Sequence, residues 1–276
     1  GTSNAEDDQT VTLTITGSAT IIVTATVTGG VWSYTADISS LADGSISIAA
    51  DVSDLAGNPA TQATKTLFKE TVVPTLAIDN PLMTDNLVNE AEKTAVVISG
   101  TSNAEDGQTV TLWIIGSTTL NATATVTGGV WTYPADISAM ADGNIAITAD
   151  VSDLVGNPAA QATKTLKKDI VAPTFTIDDS LMTDNKVNDE EQDAVLISGT
   201  SNAEDNQIIT LTITDGSITI NVTATVTAGV WTQTVYMTTL ADGNIDITAD
   251  VSDLAGNPAT QATRTLNKDT VYPTLT

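Results

Sequence analysis

The acids of this chain recur in three settings, and each setting recurs three times. Gly-Thr-Ser-Asn-Ala-Glu-Asp begins at Gly1, Gly100 and Gly199, ending in the pairs Glu6–Asp7, Glu105–Asp106 and Glu204–Asp205. Asp54, Asp153 and Asp253 each stand four residues before an Asn that precedes a proline: Asn58, Asn157 and Asn257. Glu70, Asp169 and Asp269 each follow a lysine and precede a proline. The chain has no His and no Cys, so carboxylates, Asn oxygens and turn carbonyls are what it can offer an ion. These are hard oxygen donors. Calcium accepts about six to eight of them in irregular geometry, whereas magnesium tolerates irregularity poorly. The spacing is not that of a helical calcium loop, since "DDSLMTDNKVND" at 178–189 lacks the alternating acids and the central Gly. Nor is there a glycine-rich nonapeptide repeat of the parallel β-roll type.

A plainer chemistry competes at several positions. "ADG" and "LAGNP" are ordinary turn sequences, so Asp43, Asp142 and Asp242 can be turn formers, and Asp54, Asp153 and Asp253 can cap their own turns. The Glu-Asp pair is harder to assign to turns, because adjacent like charges gain nothing locally. The acids at 70, 169 and 269 are harder still, sitting beside a strand end that approaches the next repeat.

The repeat itself sets the frame. Trp32, Trp131 and Trp231 lie in matching contexts, and "DVSDLAGNPA" at 51–60 returns at 150–159 and 250–259 with one change. The period is 99 residues and then 100, one residue being gained near Asp215–Gly216. A unit of this length suits a complete small domain and is too long for a helical or leucine-rich solenoid repeat. Thr276 aligns with Ala77, so the first copy is expected to lack its opening segment and the chain to be a window on a longer array. The expected limits are 1–72, 73–171 and 172–271, with 272–276 starting a further copy. "KETVVP", "KDIVAP" and "KDTVYP" mark the boundaries and, lacking a Gly or Ser run, read as taut linkers.

Within a unit the period is two. Val11, Leu13 and Ile15 alternate with Thr10, Thr12, Thr14 and Thr16, and Ile46, Ile48, Ala50 and Val52 share one face. Such alternation marks strands with one buried face. In the second copy it predicts strands near 75–78, 95–103, 109–115, 121–128, 130–137, 144–153 and 159–167. About seven short strands punctuated by Gly, Asn, Asp and Pro indicate an all-β chain of tandem immunoglobulin-like sandwiches. Trp131 is expected in the core, or near its edge because it follows Gly128–Gly129.

In such a sandwich alternate turns lie at opposite ends. The 104–108 and 153–158 turns then share the leading end, and the 79–94 connection and 141–144 turn share the trailing end. Tandem packing brings the two acidic sets together at the linker. At the second junction this gathers Asp79, Asp85, Asn86, Asn89, Glu92, Asp142 and Asp169 against Glu204, Asp205, Asp253 and Asn257. Two charges ~4 Å apart repel by about 1 kcal/mol in water and ~4 kcal/mol at a protein surface. Several such pairs rival the ~5–15 kcal/mol stability of a domain. Either the acids splay into solvent or a cation holds them.

Composition excludes other classes. Thirty-four acids against nine bases leave a net charge of −25, which repels nucleic acid and anionic membrane surfaces. No apolar run reaches transmembrane length, and no signal peptide is present, though a window from mid-array would show neither. Without Cys, sequence places no positive constraint on redox compartment. Ser–His and Cys–His catalysis is unavailable, and paired carboxylates lack the aromatic cleft that glycoside cleavage uses, so an enzyme is not expected.

The unit "DNLVNEAEKTAVVISGTSNAEDGQTVTL … VWTYPADISAMADGNIAITADVSDLVGNPA … KKDIVAPT" resembles the bacterial Ig-like domains of giant repetitive adhesins of the RTX type, exported by type I secretion. "DLAGNPA", a strand and a "KDTVYP"-like linker carry the likeness most clearly, and all three copies share it. The resemblance implies an extracellular rod of sandwiches on a bacterial surface, often serving biofilms or host attachment, with calcium stiffening the junctions. It implies ligands among Asp169, Glu204, Asp205, Asp253 and Asn257, and among Glu70, Glu105, Asp106, Asp153 and Asn157 at the first junction, where Glu70 replaces Asp. Neighbouring repeats are the implied partners, with any host or biofilm-matrix ligand contacted by other parts of the parent protein. The expectation is a passive extender. Its alternatives are a glycan- or protein-binding adhesin module using the threonine-rich faces or terminal loops, and a filament subunit whose incomplete first repeat accepts a strand.

Overall fold

The computed structural model describes residues 1–275, and every regular element among them is a β-strand. Unit one contributes β1 (Thr10–Thr16), β2 (Thr20–Thr26), β3 (Gly44–Asp51) and β4 (Ala63–Lys69), one sheet in the order β2-β1-β3-β4. Unit two runs β5 (Leu76–Ile78), β6 (Leu87–Val88), β7 (Val96–Ser102), β8 (Thr109–Ile115), β9 (Thr119–Thr125), β10 (Val130–Ala135), β11 (Gly143–Asp150) and β12 (Ala162–Lys168). It folds as a three-stranded sheet, β10-β7-β5, facing a five-stranded sheet, β6-β12-β11-β8-β9. Unit three repeats this with β13 (Phe175–Ile177), β14 (Lys186–Val187), β15 (Val195–Ser201), β16 (Ile208–Thr214), β17 (Thr219–Thr225), β18 (Val230–Val235), β19 (Gly243–Asp250) and β20 (Ala262–Lys268).

Alternation decides which face is buried. In β8 Val110, Leu112 and Ile114 are buried while Thr109 and Ile115 are exposed. In β11 Ile145, Ile147 and Ala149 complete the same inner face. Each fully buried Val, Leu or Ile contributes about 1.5–3 kcal/mol. Units two and three each hold one such core, and these share no residue; unit one holds two smaller clusters.

The seven strands expected for unit two are present, with shifted ends and one addition. Strand β9 stops at Thr125 rather than 128 because the chain there leaves the five-stranded sheet, turns at Gly128 and Gly129 (φ +60° and +78°) and enters β10 of the other sheet. Strand β12 starts at Ala162 rather than 159, since Ala159 N donates to Val151 O and Gln161 bonds Asp150 outside the ladder. The addition is β6, a two-residue strand parallel to β12 that ties the long 79–94 connection to the trailing end.

Trp131 is a core residue, 2% exposed. It lies against Gly100, where a Cβ would stand 2.0 Å from Ala77 O and 2.5 Å from Trp131 Cζ2. The Gly that opens the recurring heptapeptide is therefore fixed by packing: the β5 backbone and the indole leave no room for a methyl group on β7.

Candidate metal centre at the repeat junctions

The leading-end loop is organised by its first and last residues. Asp153, 6% exposed, accepts on Oδ1 from the N–H groups of Val155, Gly156 and Asn157 at 3.1, 2.8 and 2.8 Å. Its Oδ2 accepts from Asn157 Nδ2 at 2.8 Å. Burial opposes the charge on Asp153, yet its hydrogen bonds to Asn157, Gly156 and Val155 prevail and hold the carboxyl below its ordinary range. Glu105 reaches over from the neighbouring turn, its Oε2 accepting from Leu154 N at 3.0 Å. Asn157 Nδ2 also donates to Glu70 O at 3.2 Å. Linker, Glu-Asp turn and Asp-to-Asn loop thus occupy one end of the unit.

That convergence is visible in Glu70. Its carboxyl is pushed above the usual range by desolvation, and by the charges of Asp153, Glu105 and Asp43. Phe68 stands where the second linker has Lys167, so Glu70 lacks the lysine that lies 3.5 Å from Asp169 Oδ2. Asp43 belongs to the preceding unit. Its turn corresponds to the 141–144 turn expected at the trailing end, where the sequence leaves a turn-forming role and a role at the linker both open.

The second junction repeats these contacts and adds others. Glu204 Oε2 accepts from Leu254 N at 2.9 Å, and Asn257 Nδ2 bonds Asp253 Oδ2 at 2.9 Å and Asp169 O at 2.8 Å. The trailing turn of unit two also arrives here. Asn89 Nδ2 donates to Ala255 O at 3.0 Å, and Glu90 N donates to Asn257 Oδ1 at 2.9 Å.

Other expected ligands have local partners. Asp106 accepts from Gly128 N at 2.7 Å, as Asp205 does from Ala228 N and Asp7 from Gly29 N. The adjacent acids are therefore divided between two backbone partners, a local gain that the sequence did not reveal. Asp85 accepts from Leu87 N. Asn89 Oδ1 accepts from the N–H groups of Ala91 and Glu92, while Glu92 Oε2 accepts from Asn89 N, the reciprocal bonding of a capping box. Asp142 accepts from Ile170 N at 3.2 Å and lies 3.7 Å from the ammonium of Lys168, which is itself 1% exposed. Asp79 and Asn86, at the same trailing end, accept from Ser99 Oγ and Leu82 N. The lysine was the overlooked member: Lys69, Lys168 and Lys268 each precede a linker acid and donate to the carbonyls of Leu41, Met140 and Leu240.

Residues 1–69 match a profile of the bacterial Ig-like domain, and residues 129–230 match a second, the bacterial Ig-like domain of group 3. Over those residues the chain is similar to bacterial Ig-like domains. Similar solved structures include the tetra-tandem repeat in the extending region of a large adhesion protein, 29% identical over 96% of this chain and 68% of that one, TM-score 0.36. Two more are a 1.5-MDa bacterial ice-binding adhesin (24%, 97% and 89%, TM-score 0.44) and a Ca2+-stabilized adhesin of an Antarctic bacterium (28%, 96% and 66%, TM-score 0.43). No curated protein matches the chain.

Among the described residues of these Ig-like repeats, no three carboxylates are arranged to hold a metal ion. The donor chemistry suits calcium, but the carboxylates are not drawn together. The backbone carbonyls of Glu70 and Asp169 reach the Asp153–Asn157 and Asp253–Asn257 loops beside Glu105 and Glu204, while the Asp169 carboxylate lies 3.5 Å from Lys167 and Asp153 already accepts four hydrogen bonds. Asn257 fits less well, because its oxygen and its amide are both engaged. Asp85 and Glu92 serve their own turn, Asp106 and Asp205 bind the turns at Gly128 and Ala228, and Asn89 divides its groups between its own turn and Ala255 O.

Proposed function

We propose that this segment is an extender, a stalk of Ig-like domains on a bacterial surface that holds the adhesive part of a longer protein away from the cell. The limits 1–72, 73–171 and 172–271 define its repeats, a division supported by hydrophobic cores that do not mix. Likeness among the copies extends to their loops, which suits a spacer better than a module with one distinctive binding face.

Calcium at the junctions is the finer part of this reading. Its support is the linker acid Glu70, pushed up by desolvation and by three neighbouring carboxylates drawn from both flanking units. An ion held by Glu70, Glu105 and Asp153, or by Asp169, Glu204 and Asp253, would neutralise that repulsion and tie each linker to the following repeat. In this role the segment serves adhesion or biofilm formation outside the cell, following type I secretion.

Thermal unfolding in chelator, then across a calcium titration with magnesium as control, tests the ion. A junction at ~100 times its dissociation constant gains about 2.7 kcal/mol, equivalent to some 10–20 °C in a domain of this size. Superimposable curves in chelator and calcium would rule the sites out.

A further inference from the structure

The second junction carries contacts that need no ion. Asn257 is 2% exposed and joins three segments: its amide donates to Asp169 O of the linker and to Asp253 Oδ2 of its own loop, while its oxygen accepts from Glu90 N of the preceding unit. Asn89 adds a fourth connection through Ala255 O, packing close enough that a Cβ on Gly256 would stand 3.3 Å from Asn89 Nδ2. The turn presenting Asn89 and Glu90 is held by its own capping box and anchored by β6 to β12. The Asp253–Asn257 loop is likewise closed on itself, Asp253 accepting from Asn257 N at 2.8 Å and Asn257 Nδ2 at 2.9 Å.

We propose that the Asn89–Glu92 turn is a docking element for the Asp253–Asn257 loop of the following repeat, and that this latch restrains the second junction independently of metal. The inference is separate from the calcium reading. Ala255 and Asn257, the two residues the turn contacts, are buried. Linked domains move relative to one another by default unless their interface holds them. The latch supplies a set of directed bonds where a charged junction alone would not.

The chain has no native cysteine, so Thr163→Cys and Thr223→Cys, both at exposed strand positions, give one labelled pair across the junction. Pulsed electron-spin distance measurement on the full chain, in chelator and in calcium, reads the width of the separation. In chelator the parent distribution should stay narrow, and Asn89→Ser, which keeps a capping oxygen but loses the amide donor, should about double it. Asn257→Ala should broaden it further, with calorimetry confirming that unit three remains folded. Equal widths for Asn89→Ser and parent in chelator would overturn the latch, as would a parent distribution that broadens on calcium removal to match the variant. Failure of the calcium reading has a different signature: added calcium changes neither melting nor width, while the variants still broaden.

Discussion

Replacing Gly199 with Ala tests whether the recurring heptapeptide begins with Gly for packing reasons. A Cβ there would stand 2.0 Å from Thr176 O and 2.7 Å from Trp231 Nε1. Neither neighbour yields easily. Thr176 O belongs to β13, paired with β15, and it accepts from Trp231 Nε1 at 3.2 Å. The indole is 2% exposed and stacks on Phe175 with ring centroids 5.7 Å apart. Forcing a methyl group into a packed core costs about 1–3 kcal/mol, and losing the indole bond adds about 1 kcal/mol. The expected loss of ~2–4 kcal/mol lowers the melting of a domain of this size by about 10–30 °C. Differential scanning calorimetry of the full chain should show one transition moving and the others fixed. Leu196→Thr on the same strand, at a position 46% exposed, should shift melting by only ~2 °C, consistent with a surface change. A Gly199→Ala chain melting within that range of the parent would refute the packing argument.

Other perturbations probe the junctions. Glu70→Gln should have opposite effects with and without calcium: in chelator it removes repulsion from Asp153, Glu105 and Asp43 and raises melting, while in calcium it removes a ligand and shrinks the gain. The same calorimeter reads both arms, and a shift of one sign in both buffers would contradict the role given to Glu70. Acid titration in chelator should show two regimes. Glu70, raised above its ordinary 4.5, contributes stability that is present below that value and lost as pH rises through its folded pKa, so mild acidification should stabilise its junction. Asp43, Asp153 and Asp242 are lowered from 3.8 and contribute stability lost as pH falls through their folded values, so unfolding should set in below that range; a monotonic loss from neutral pH downward would be inconsistent with this. Lys168→Met should destabilise unit two by about 2–4 kcal/mol in urea unfolding, because it leaves Met140 O, Ser138 O and Asp142 without their shared donor.

The sandwich was legible because its signal is local. Alternating Thr with Val, Leu and Ile specifies a strand and its buried face within seven residues, as β8 illustrates. The two-residue strand β6 was not legible, since Leu87–Val88 is too short to show a period and acquires its conformation from β12, some 80 residues away. The convergence of linker and loops followed from the fold, because strand order alone fixes which turns share an end.

What individual acids do at that end required coordinates. Glu105 finds its partner at Leu154 and Asp106 at Gly128, separations of 49 and 22 residues that no spacing rule encodes. Asn89 and Glu92 are readable in principle, since an Asn followed three residues later by Glu is a capping signature, and that local role competes with the ion-ligand role their oxygens also suit. Lys168 illustrates the same point from the other side. A lysine beside a linker acid reads as solvated, yet here the stem is buried and the ammonium draws Met140 O and Asp142 onto the linker. The trailing-end acid is thereby neutralised within its own unit, whereas Glu70 faces Asp153 and Glu105 across the junction with its carboxyl pushed up. At the second linker Asp169 has Lys167 3.5 Å away, whereas at the first Phe68 takes that lysine's place and Glu70 is left facing charge from both units.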